Sequence, residues 1–271
     1  MSIDRADTVL ITGASSGIGA GLAREFARRG WCVALVARRL EKLEVLAAEL
    51  RADGAKITVH RGDVTVDGSL GEVIGELAGQ GISPRIVVAN AGFGVVGNAQ
   101  RLTLEDYRRQ FETNVFGVIR TLHETLPALK RTQGRFVIMG SVAGHLSGAG
   151  SSPYAMSKFA VRALAEALHA DLRSAGVACT LLSPGFVDSD IRRVDNQGGF
   201  HAEARDPIPP WLRLRTDKAA RAMVRAILKG KREAIITFHG RVIIFFARHF
   251  PRFTRWALLR GGQKSRPEPK S

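Results

Sequence analysis

The feature that most constrains the fold is a glycine-rich turn near the beginning of the chain. An apolar run from Thr8 to Thr12 leads directly into Gly13-Ala-Ser-Ser-Gly-Ile-Gly19, and apolar residues then recur at helical spacing to about Arg29. Glycines let such a turn bend tightly and approach a pyrophosphate, whose charge is stabilised by the N-terminus of the following helix. The order of strand, glycine turn and helix therefore predicts the first unit of a doubly wound α/β domain with a dinucleotide site.

Strand-like and helix-like patterns alternate along the rest of the chain. Short apolar runs predict strands at 32–37, 56–60, 85–89 and 136–139, with a last strand at 233–238. Helical spacing predicts helices over 40–51, 71–79, 104–130, 154–173 and 216–229. Strands that alternate with helices in this way are typical of a parallel sheet covered on both faces. We therefore expect one Rossmann-type α/β domain over residues 1–238.

A serine, a tyrosine and a lysine lie around the start of the helix over 154–173. Ser141 follows the strand at 136–139, at the edge where open α/β sheets bind their ligands. Tyr154 and Lys158 are four residues apart and share one helix face. A free tyrosine has a pKa near 10, and a lysine ammonium one turn away lowers that pKa by favouring the phenolate. Ser141 could then hold a substrate oxygen while Tyr154 exchanges a proton with it. A Tyr-x-x-x-Lys pair alone arises often by chance, so this interpretation depends on the rest of the chain.

The end of the second predicted strand indicates which dinucleotide is bound. A carboxylate just beyond this strand would bind the adenosine ribose, whereas an arginine would bind a 2′-phosphate. Here Ala37 is followed by Arg38 and Arg39, with no carboxylate. The sequence therefore favours NADP(H) over NAD(H), with Arg38 on the phosphate. The alternative is that both arginines are solvated at the start of the next helix.

Asn114 lies inside the long helix predicted over 104–130. Asparagine is unfavourable in a helix interior because its side chain competes for backbone hydrogen bonds. Its presence there indicates a backbone contact or a function, although alone it would more often be a solvated residue.

Together these motifs resemble those of the short-chain dehydrogenase/reductase family. They occur in its order and structural context: Thr12-Gly13-x3-Gly17-x-Gly19, Asp63, Asn90-Ala91-Gly92, Asn114, Ser141, Tyr154-x3-Lys158 and Pro184-Gly185. The resemblance covers about residues 7–238. It implies an enzyme that acts on CH–OH groups with NAD(P)⁺ as acceptor. It also implies a homodimer or homotetramer in which the helices over 104–130 and 154–173 pack across the interface.

The resemblance also implies roles for individual residues. Ser141 would orient the substrate oxygen, Tyr154 would act as acid or base, Lys158 would lower the tyrosine pKa and hold the nicotinamide ribose, and Asn114 would support a water relay to Lys158. Asp63 and Val64 would contact the adenine, Asn90 the adenosine side, and Val187 the carboxamide. The residues implied to bind the cofactor are Gly13, Ser15, Ser16, Gly17, Ile18, Gly19, Arg38, Asp63, Val64, Asn90, Tyr154, Lys158, Pro184, Val187 and Ser189. Ser141 and Tyr154 would bind the substrate.

A stretch without periodicity covers about residues 190–216. Long irregular segments in compact domains are usually functional lids or disordered. This one follows the predicted nicotinamide contact, so we interpret it as a substrate lid. Phe186, Phe200 and Trp211 in and around it indicate an apolar substrate.

The C-terminal quarter carries nearly all of the net charge of +15. Sixteen of the 40 Lys and Arg residues lie from residue 211 onward, but only three of the 25 Asp and Glu residues. Residues 239–260 read as a basic, strongly apolar helical appendage, in which Pro251 would start a second helix. This pattern suits a helix lying on an anionic membrane surface, although the domain core or a partner subunit could also cover it. Residues 261–271 are expected to be disordered.

Composition excludes several other classes of protein. Cys32 and Cys179 have no Cys or His at metal spacing, which indicates free thiols in a reducing compartment and no metal. No signal peptide or membrane span is evident, so we expect a cytoplasmic protein, with a peripheral position on the membrane as the alternative. The cations of the tail alternate with bulky aliphatic residues, so nucleic acid is not an expected partner.

Three alternative functions remain open from the sequence. The chain could be a 3-oxoacyl-type reductase whose basic surface receives substrates on an acidic carrier protein. It could instead be a sensor that binds NADPH without turnover, against which the intact Ser, Tyr, Lys and Asn set argues. Finally, it could be a protein whose main role is binding to a membrane surface.

Overall fold

The computed structural model describes residues 7–197, 199–201, 203, 204, 206 and 208–260. Seven parallel strands form one sheet in the order β3-β2-β1-β4-β5-β6-β7. The strands are β1 (Thr8–Thr12), β2 (Cys32–Ala37), β3 (Ile57–Arg61), β4 (Pro84–Ala89), β5 (Arg135–Met139), β6 (Ala178–Ser183) and β7 (Glu233–Ile235). This architecture confirms the predicted Rossmann-type, doubly wound α/β fold. The strand order reverses between β1 and β4, where such sheets open a crevice for ligands.

Helices cover both faces of the sheet. They are α1 (Gly17–Arg28), α2 (Leu40–Ala52), α3 (Ser69–Gly79), α4 (Leu104–Phe111), α5 (Gly117–Thr132), α6 (Ser152–Asp171), α7 (Thr216–Leu228), α8 (Phe238–His249) and α9 (Pro251–Arg260). One apolar core lies between the sheet and α1, α2 and α7, with Phe26 and Leu43 fully buried. A second core on the other face includes Leu70 and Phe136. The two cores hold the strand ends in fixed positions, and the site is built on those ends.

The predicted helix over 104–130 contains an irregularity that the sequence pattern did not show. A π-helical turn, Glu112–Phe116, separates α4 from α5 without breaking the helical path. The turn surrounds Asn114, whose side chain is buried and bonded to the backbone of Phe93. π-turns of this kind occur often at functional sites.

The predicted last strand at 233–238 is too long. β7 ends at Ile235, and α8 begins at Phe238, which is also earlier than the predicted start of the appendage at residue 239. The cause is Thr237, whose hydroxyl accepts a hydrogen bond from the Gly240 N–H at 3.2 Å and so caps the helix. The second helix of the appendage does begin at Pro251, as predicted.

The segment over 190–216 contains short 3-10 turns, Asp190–Arg193 and Pro210–Leu212, in the part that the structure describes. Specific contacts hold it together and fasten it to the domain. Within the segment, the Asp206 carboxylate pairs with Arg192 at 2.7 Å and with Arg213 at 3.2 Å. The Asn196 side-chain amide exchanges two hydrogen bonds with the backbone of Val96. The irregular segment therefore has defined anchor points beside the loop that follows β4.

Three further predictions concern thiols, membrane spans and the tail. Cys32 and Cys179 are free thiols, and Cys179 is buried. Within the described ranges, none of the helices combines the length and the apolarity that crossing a bilayer requires. The tail over 261–271 lies outside the described residues.

Candidate active site

The glycine turn after β1 packs tightly against the loop after β4. Gly13 has a φ of +65°, and a Cβ atom on it would lie 2.8 Å from the Cα of Ala91. The Asn90 side-chain amide donates to the Thr12 carbonyl at 2.9 Å, and the Thr12 hydroxyl accepts from the Asn90 N–H at 3.0 Å. A Cβ atom on Gly19 would lie only 2.3 Å from the Gly13 carbonyl oxygen. The turn therefore packs closely and has no side chains at its glycines. This arrangement is compatible with the close approach of a pyrophosphate to the N-terminus of α1.

Ser141, Tyr154 and Lys158 lie together beyond the carboxyl end of β5. Ser141 starts a short 3-10 turn, Val142–Gly144, and its hydroxyl accepts from the Ala143 N–H at 3.1 Å. Tyr154 and Lys158 lie one turn apart near the start of α6, and the Lys158 ammonium is 5.7 Å from the centroid of the Tyr154 ring. The Ser141 hydroxyl interacts with the Tyr154 phenol. The predicted catalytic group is thus assembled in one place.

Burial decides the ionisation of both titratable groups in this set. Burial raises the pKa of the Tyr154 phenol, while Ser141 and the positive charge of Arg192 oppose that rise. Burial also lowers the pKa of Lys158 to about 8, and its ammonium donates to the Met139 carbonyl at 2.8 Å. The sequence predicted a lowered pKa for Tyr154. This prediction is wrong for the protein without cofactor, because desolvation of the phenolate outweighs the effect of the nearby charges. A protonated phenol at neutral pH is suited to donate its proton to a carbonyl oxygen.

Asn114 joins the π-turn to the active-site loop and to α6. Its side-chain oxygen accepts from the Phe93 N–H at 3.1 Å, and its amide donates to the Phe93 carbonyl at 3.0 Å. The same amide lies 3.3 Å from the Ser157 hydroxyl, directly before Lys158 in the chain. A Cβ atom on Gly92 would approach the Asn114 oxygen to 2.9 Å, so this loop requires a small residue there. The predicted backbone contact of Asn114 is therefore present.

The carboxyl ends of β2 and β3 place the residues predicted to bind the adenosine half. Arg38 and Arg39 are both exposed beyond β2. Sequence reasoning chose Arg38, but Arg39 is the one that reaches the glycine turn, donating to the Ser15 hydroxyl at 3.3 Å. Asp63 uses its carboxylate to accept from the Thr65 N–H and hydroxyl, at 2.9 and 2.7 Å. Val64 is buried against Gly117.

The loop after β6, residues 184–189, has partners on three sides. The Pro184 carbonyl accepts from the Val142 N–H at 2.9 Å, next to Ser141. The Val187 carbonyl accepts from the Arg192 guanidinium at 2.8 Å and lies 3.4 Å from the Ser189 hydroxyl. On the third side, the Phe186 N–H donates to His239 Nε2 at 3.0 Å. Sequence reasoning missed His239, because the boundary between β7 and α8 was misplaced.

The predicted site residues all lie at the carboxyl edge of the sheet. Ser141, Tyr154, Lys158 and Asn114 surround the ends of β4 and β5, and the residues assigned to the cofactor follow the ends of β1, β2, β3, β4 and β6. In the part of the chain that the structure describes, no group of three or more His, Cys, Asp or Glu side chains could hold a metal ion. Polar side chains grouped at this edge of a Rossmann-type sheet are typical of an enzyme that uses a bound dinucleotide.

Comparison with known proteins agrees with this class. The family profile described as "short chain dehydrogenase" matches residues 7–198, and the chain belongs to the short-chain dehydrogenase/reductase family. An uncharacterized oxidoreductase of Myxococcus xanthus is 37% identical over 227 residues, covering 83% of this chain and 85% of that protein.

Two solved structures illustrate the similarity in fold. An alcohol dehydrogenase from the archaeon Thermococcus sibiricus, complexed with 5-hydroxy-NADP, has a TM-score of 0.73 and 30% identity, and the match covers 84% of this chain and 95% of that one. A short chain dehydrogenase/reductase from Burkholderia phymatum in complex with NAD has a TM-score of 0.79 and 24% identity, covering 99% of this chain and 100% of that one. The first of these structures thus contains an NADP derivative, and the second contains NAD.

Proposed function

We propose that this oxidoreductase interconverts a ketone and a secondary alcohol with NADP(H). The observation that carries the proposal is the grouping of Ser141, Tyr154 and Lys158 at the same sheet edge as the glycine turn. A sensor without turnover would not need a phenol, a serine hydroxyl and a buried lysine together. Maintaining a buried ionisable lysine costs free energy, which indicates a function.

Each residue of the group has a distinct task in reduction. Ser141 donates a hydrogen bond to the carbonyl oxygen and orients it toward Tyr154. The bound cofactor supplies the hydride that adds to the carbonyl carbon. Tyr154 donates its proton to the oxygen as negative charge develops there, and Lys158 stabilises the resulting phenolate. Asn114 holds the loop after β4 against α6, and we propose that it also supports a proton relay to Lys158.

The preference for NADP(H) is supported by the end of β2. Ala37 leaves no carboxylate to bind a ribose hydroxyl, and the exposed residues Arg38 and Arg39 supply the positive charge that a 2′-phosphate would require. Arg39 also contacts Ser15 in the glycine turn, so a guanidinium group and a hydroxyl meet at this corner. The Thermococcus sibiricus structure with 5-hydroxy-NADP is consistent with this choice.

The substrate is proposed to be apolar. Phe186 lies in the loop predicted to contact the nicotinamide, while Phe200 and Trp211 are exposed on the irregular segment beside it. Such side chains favour an apolar molecule by covering it from water. The strongly basic C-terminal quarter also favours a second candidate, a 3-oxoacyl-type reductase that receives substrate on an acidic carrier protein.

The helices α8 and α9 are proposed to form a peripheral contact with an anionic membrane. Five aromatic side chains form a continuous exposed row along them: Phe245, Phe246, Phe250, Phe253 and Trp256. Residues 238–260 contain several arginines and no Asp or Glu. An apolar helix face on a segment rich in cations suits the headgroup region of an anionic bilayer.

We also propose a homo-oligomer formed through the helices predicted for the interface. Apolar side chains are exposed on both of them: Leu104 and Phe116 on one, and Met156 and Phe159 on the other. A second copy would remove this apolar surface from water.

The test of the proposed reaction is NADPH oxidation by the Tyr154→Phe variant. We expect the wild type to consume NADPH with at least one member of a panel of aliphatic ketones, 3-oxoacyl thioesters, steroids and sugars. Removing the phenol hydroxyl should lower kcat by about 10²–10⁴-fold, because a positioned general acid contributes that much. NADPH affinity should stay within about threefold, since the glycine turn is untouched.

Tyr107→Phe is the matched control, since Tyr107 is the other tyrosine of the chain. Its hydroxyl bonds to that of Ser152 at 2.7 Å, outside the catalytic group. This variant should keep near-normal turnover. Near-normal turnover by Tyr154→Phe on a confirmed substrate would show that the mechanism is wrong, and NADPH binding without turnover on any substrate would favour the sensor.

A further inference from the structure

The first turn of α8 packs directly against the loop after β6. A Cβ atom on Gly185 would lie 2.3 Å from the Thr237 hydroxyl and 2.5 Å from His239 Nε2. Both residues belong to the start of α8, since Thr237 caps it and His239 lies in its first turn. Only glycine fits at residue 185 in this arrangement. The beginning of the C-terminal appendage thus packs directly against the loop over residues 184–189.

His239 makes two contacts with the residue that follows this glycine. Its Nε2 atom accepts from the Phe186 N–H at 3.0 Å, and its ring stacks on the Phe186 ring with centroids 5.3 Å apart and planes at 21°. An imidazole nitrogen that accepts from an N–H is unprotonated, so the ring is neutral with its proton on Nδ1. Burial lowers the pKa of His239, which agrees with a neutral ring at pH 7.

The other contacts of the loop come from the site and from the irregular segment. The Phe186 carbonyl accepts from the Leu214 N–H at 2.9 Å, and the Pro184 carbonyl accepts from the Val142 N–H at 2.9 Å. The Phe186 N–H, in contrast, is paired with a side chain of α8. The position of the backbone between Pro184 and Val187 therefore depends on a helix that carries none of the family motifs.

We propose that His239 is a positioning residue that fixes the loop over 184–187 for the nicotinamide half of the cofactor. The inference rests on the proposed function, because the family resemblance assigns Pro184 and Val187 to that half. His239 touches neither substrate nor cofactor in this account. It acts through the Phe186 N–H, and its loss should affect ligands that reach the nicotinamide end while sparing those that bind only at the adenosine end.

The experiment compares two substitutions at His239 with a control on the same helix. His239→Phe keeps a flat ring for stacking but removes the acceptor, whereas His239→Gln returns an acceptor at similar reach. His249→Phe is the control, since His249 stacks on Phe245 at 4.4 Å at the opposite end of α8. Each purified full-length variant is titrated with NADPH and with 2′,5′-ADP, which lacks the nicotinamide half.

We expect the Kd for NADPH to rise on the order of tenfold in His239→Phe. The Phe186 N–H then has no acceptor, and leaving an N–H unpaired weakens binding by about that factor. The Kd for 2′,5′-ADP should stay within about twofold, and His239→Gln should recover most of the NADPH affinity. His249→Phe should match the wild type with both ligands. Should His239→Phe fail to fold, His239→Ala takes its place in the same comparison.

Two results would overturn the proposal. One is an equal loss of affinity for NADPH and 2′,5′-ADP, which would indicate general destabilisation of the domain. The other is unchanged NADPH affinity in a folded His239→Phe protein. Failure of the wild type to bind NADPH while it binds NADH would instead contradict the proposed cofactor, and the same titrations with NADH would then decide the role of His239.

Discussion

Lys158 holds an amine in the interior of the protein, with its side chain 6% exposed and its ammonium donating to the Met139 carbonyl at 2.8 Å. Burial penalises the charged form, and the pKa is lowered from 10.5 to about 8. The folded chain therefore releases this proton at a lower pH than the unfolded chain does. A difference in proton binding between the two states makes stability depend on pH.

The contribution of Lys158 to the free energy of unfolding of the cofactor-free protein should rise with pH between about 8 and 10.5. Within that window the unfolded state binds more protons than the folded state, so raising the pH favours folding. Below pH 8 the buried Lys158 ammonium lowers the free energy of unfolding by its full amount. As the pH rises through the window, at most about 3 kcal/mol of that free energy is regained. Urea unfolding of the wild type and of Lys158→Met at several pH values isolates this contribution. A difference between the two proteins that does not change with pH would contradict the lowered pKa.

Arg38 and Arg39 should together set the proposed preference for the phosphorylated cofactor. A charge-assisted hydrogen bond contributes roughly 1.5–3 kcal/mol, so Arg38→Ala and Arg39→Ala should each raise the Kd for NADPH by about 10- to 100-fold. Affinity for NADH, which lacks the 2′-phosphate, should stay within about threefold. Fluorescence titration with both nucleotides measures this. Equal affinity of the wild type for NADH and NADPH would show that the assignment is wrong.

Among the elements, the helix formed by α4, the π-turn and α5 shows what a periodic pattern can and cannot reveal. Apolar spacing predicted a continuous helix, and the chain does follow one path from Leu104 to Thr132. The π-turn is invisible to this pattern because one widened turn changes the spacing by a single residue. What the sequence did offer was Asn114, a poor residue for a helix interior, at the centre of the irregularity.

The junction between β7 and α8 was misjudged for a related reason. The run Ile235-Ile236-Thr237-Phe238 is apolar and β-branched, which favours a strand. The threonine cap at Thr237 overrides this preference, and it has no acidic partner three residues on that would have marked it in the sequence. His239 was missed for the same reason, since its contact with Phe186 depends on where the helix starts.

The row of aromatic residues on α8 and α9 leads to a prediction about membranes. Full-length protein should co-sediment with vesicles of phosphatidylglycerol and phosphatidylcholine, and it should bind weakly to phosphatidylcholine alone or at high salt. Phe253→Ser and Arg252→Glu should each reduce binding severalfold. Point variants are preferable to truncation at residue 239, because the start of α8 supports the loop at Phe186. Phe116→Ser is the control, since Phe116 is exposed to a similar degree, 49% against 57% for Phe253.

Light scattering of the same preparations distinguishes a membrane surface from a subunit interface. The proposed interface includes Phe116, so Phe116→Ser should weaken self-association and leave vesicle binding unchanged. If Phe253→Ser instead converts an oligomer to monomers, a second copy covers the aromatic row. A result in which full-length protein does not co-sediment with anionic vesicles would also exclude the membrane contact.

For the molecule as a whole, the sequence predicted the parts that depend on local pattern. The glycine turn, the alternation of strands with helices, and the spacing of Tyr154 and Lys158 are each encoded within a few residues. The reversed effect on the tyrosine pKa was not predictable, because it depends on how deeply the packed domain buries the phenol. The contact of Arg39 with Ser15 joins segments 24 residues apart and depends on the relation of β2 to the turn.

The contact between His239 and Phe186 also has a thermodynamic consequence. If α8 rests on lipid and at the same time supports the cofactor loop, then lipid and NADPH bind to two ends of one coupled system. Binding free energies in such a system are reciprocal. If an anionic surface raises the affinity for NADPH by some factor through α8, bound NADPH must raise the affinity for that surface by the same factor. The proportion of protein on the membrane would then follow the concentration of the cofactor.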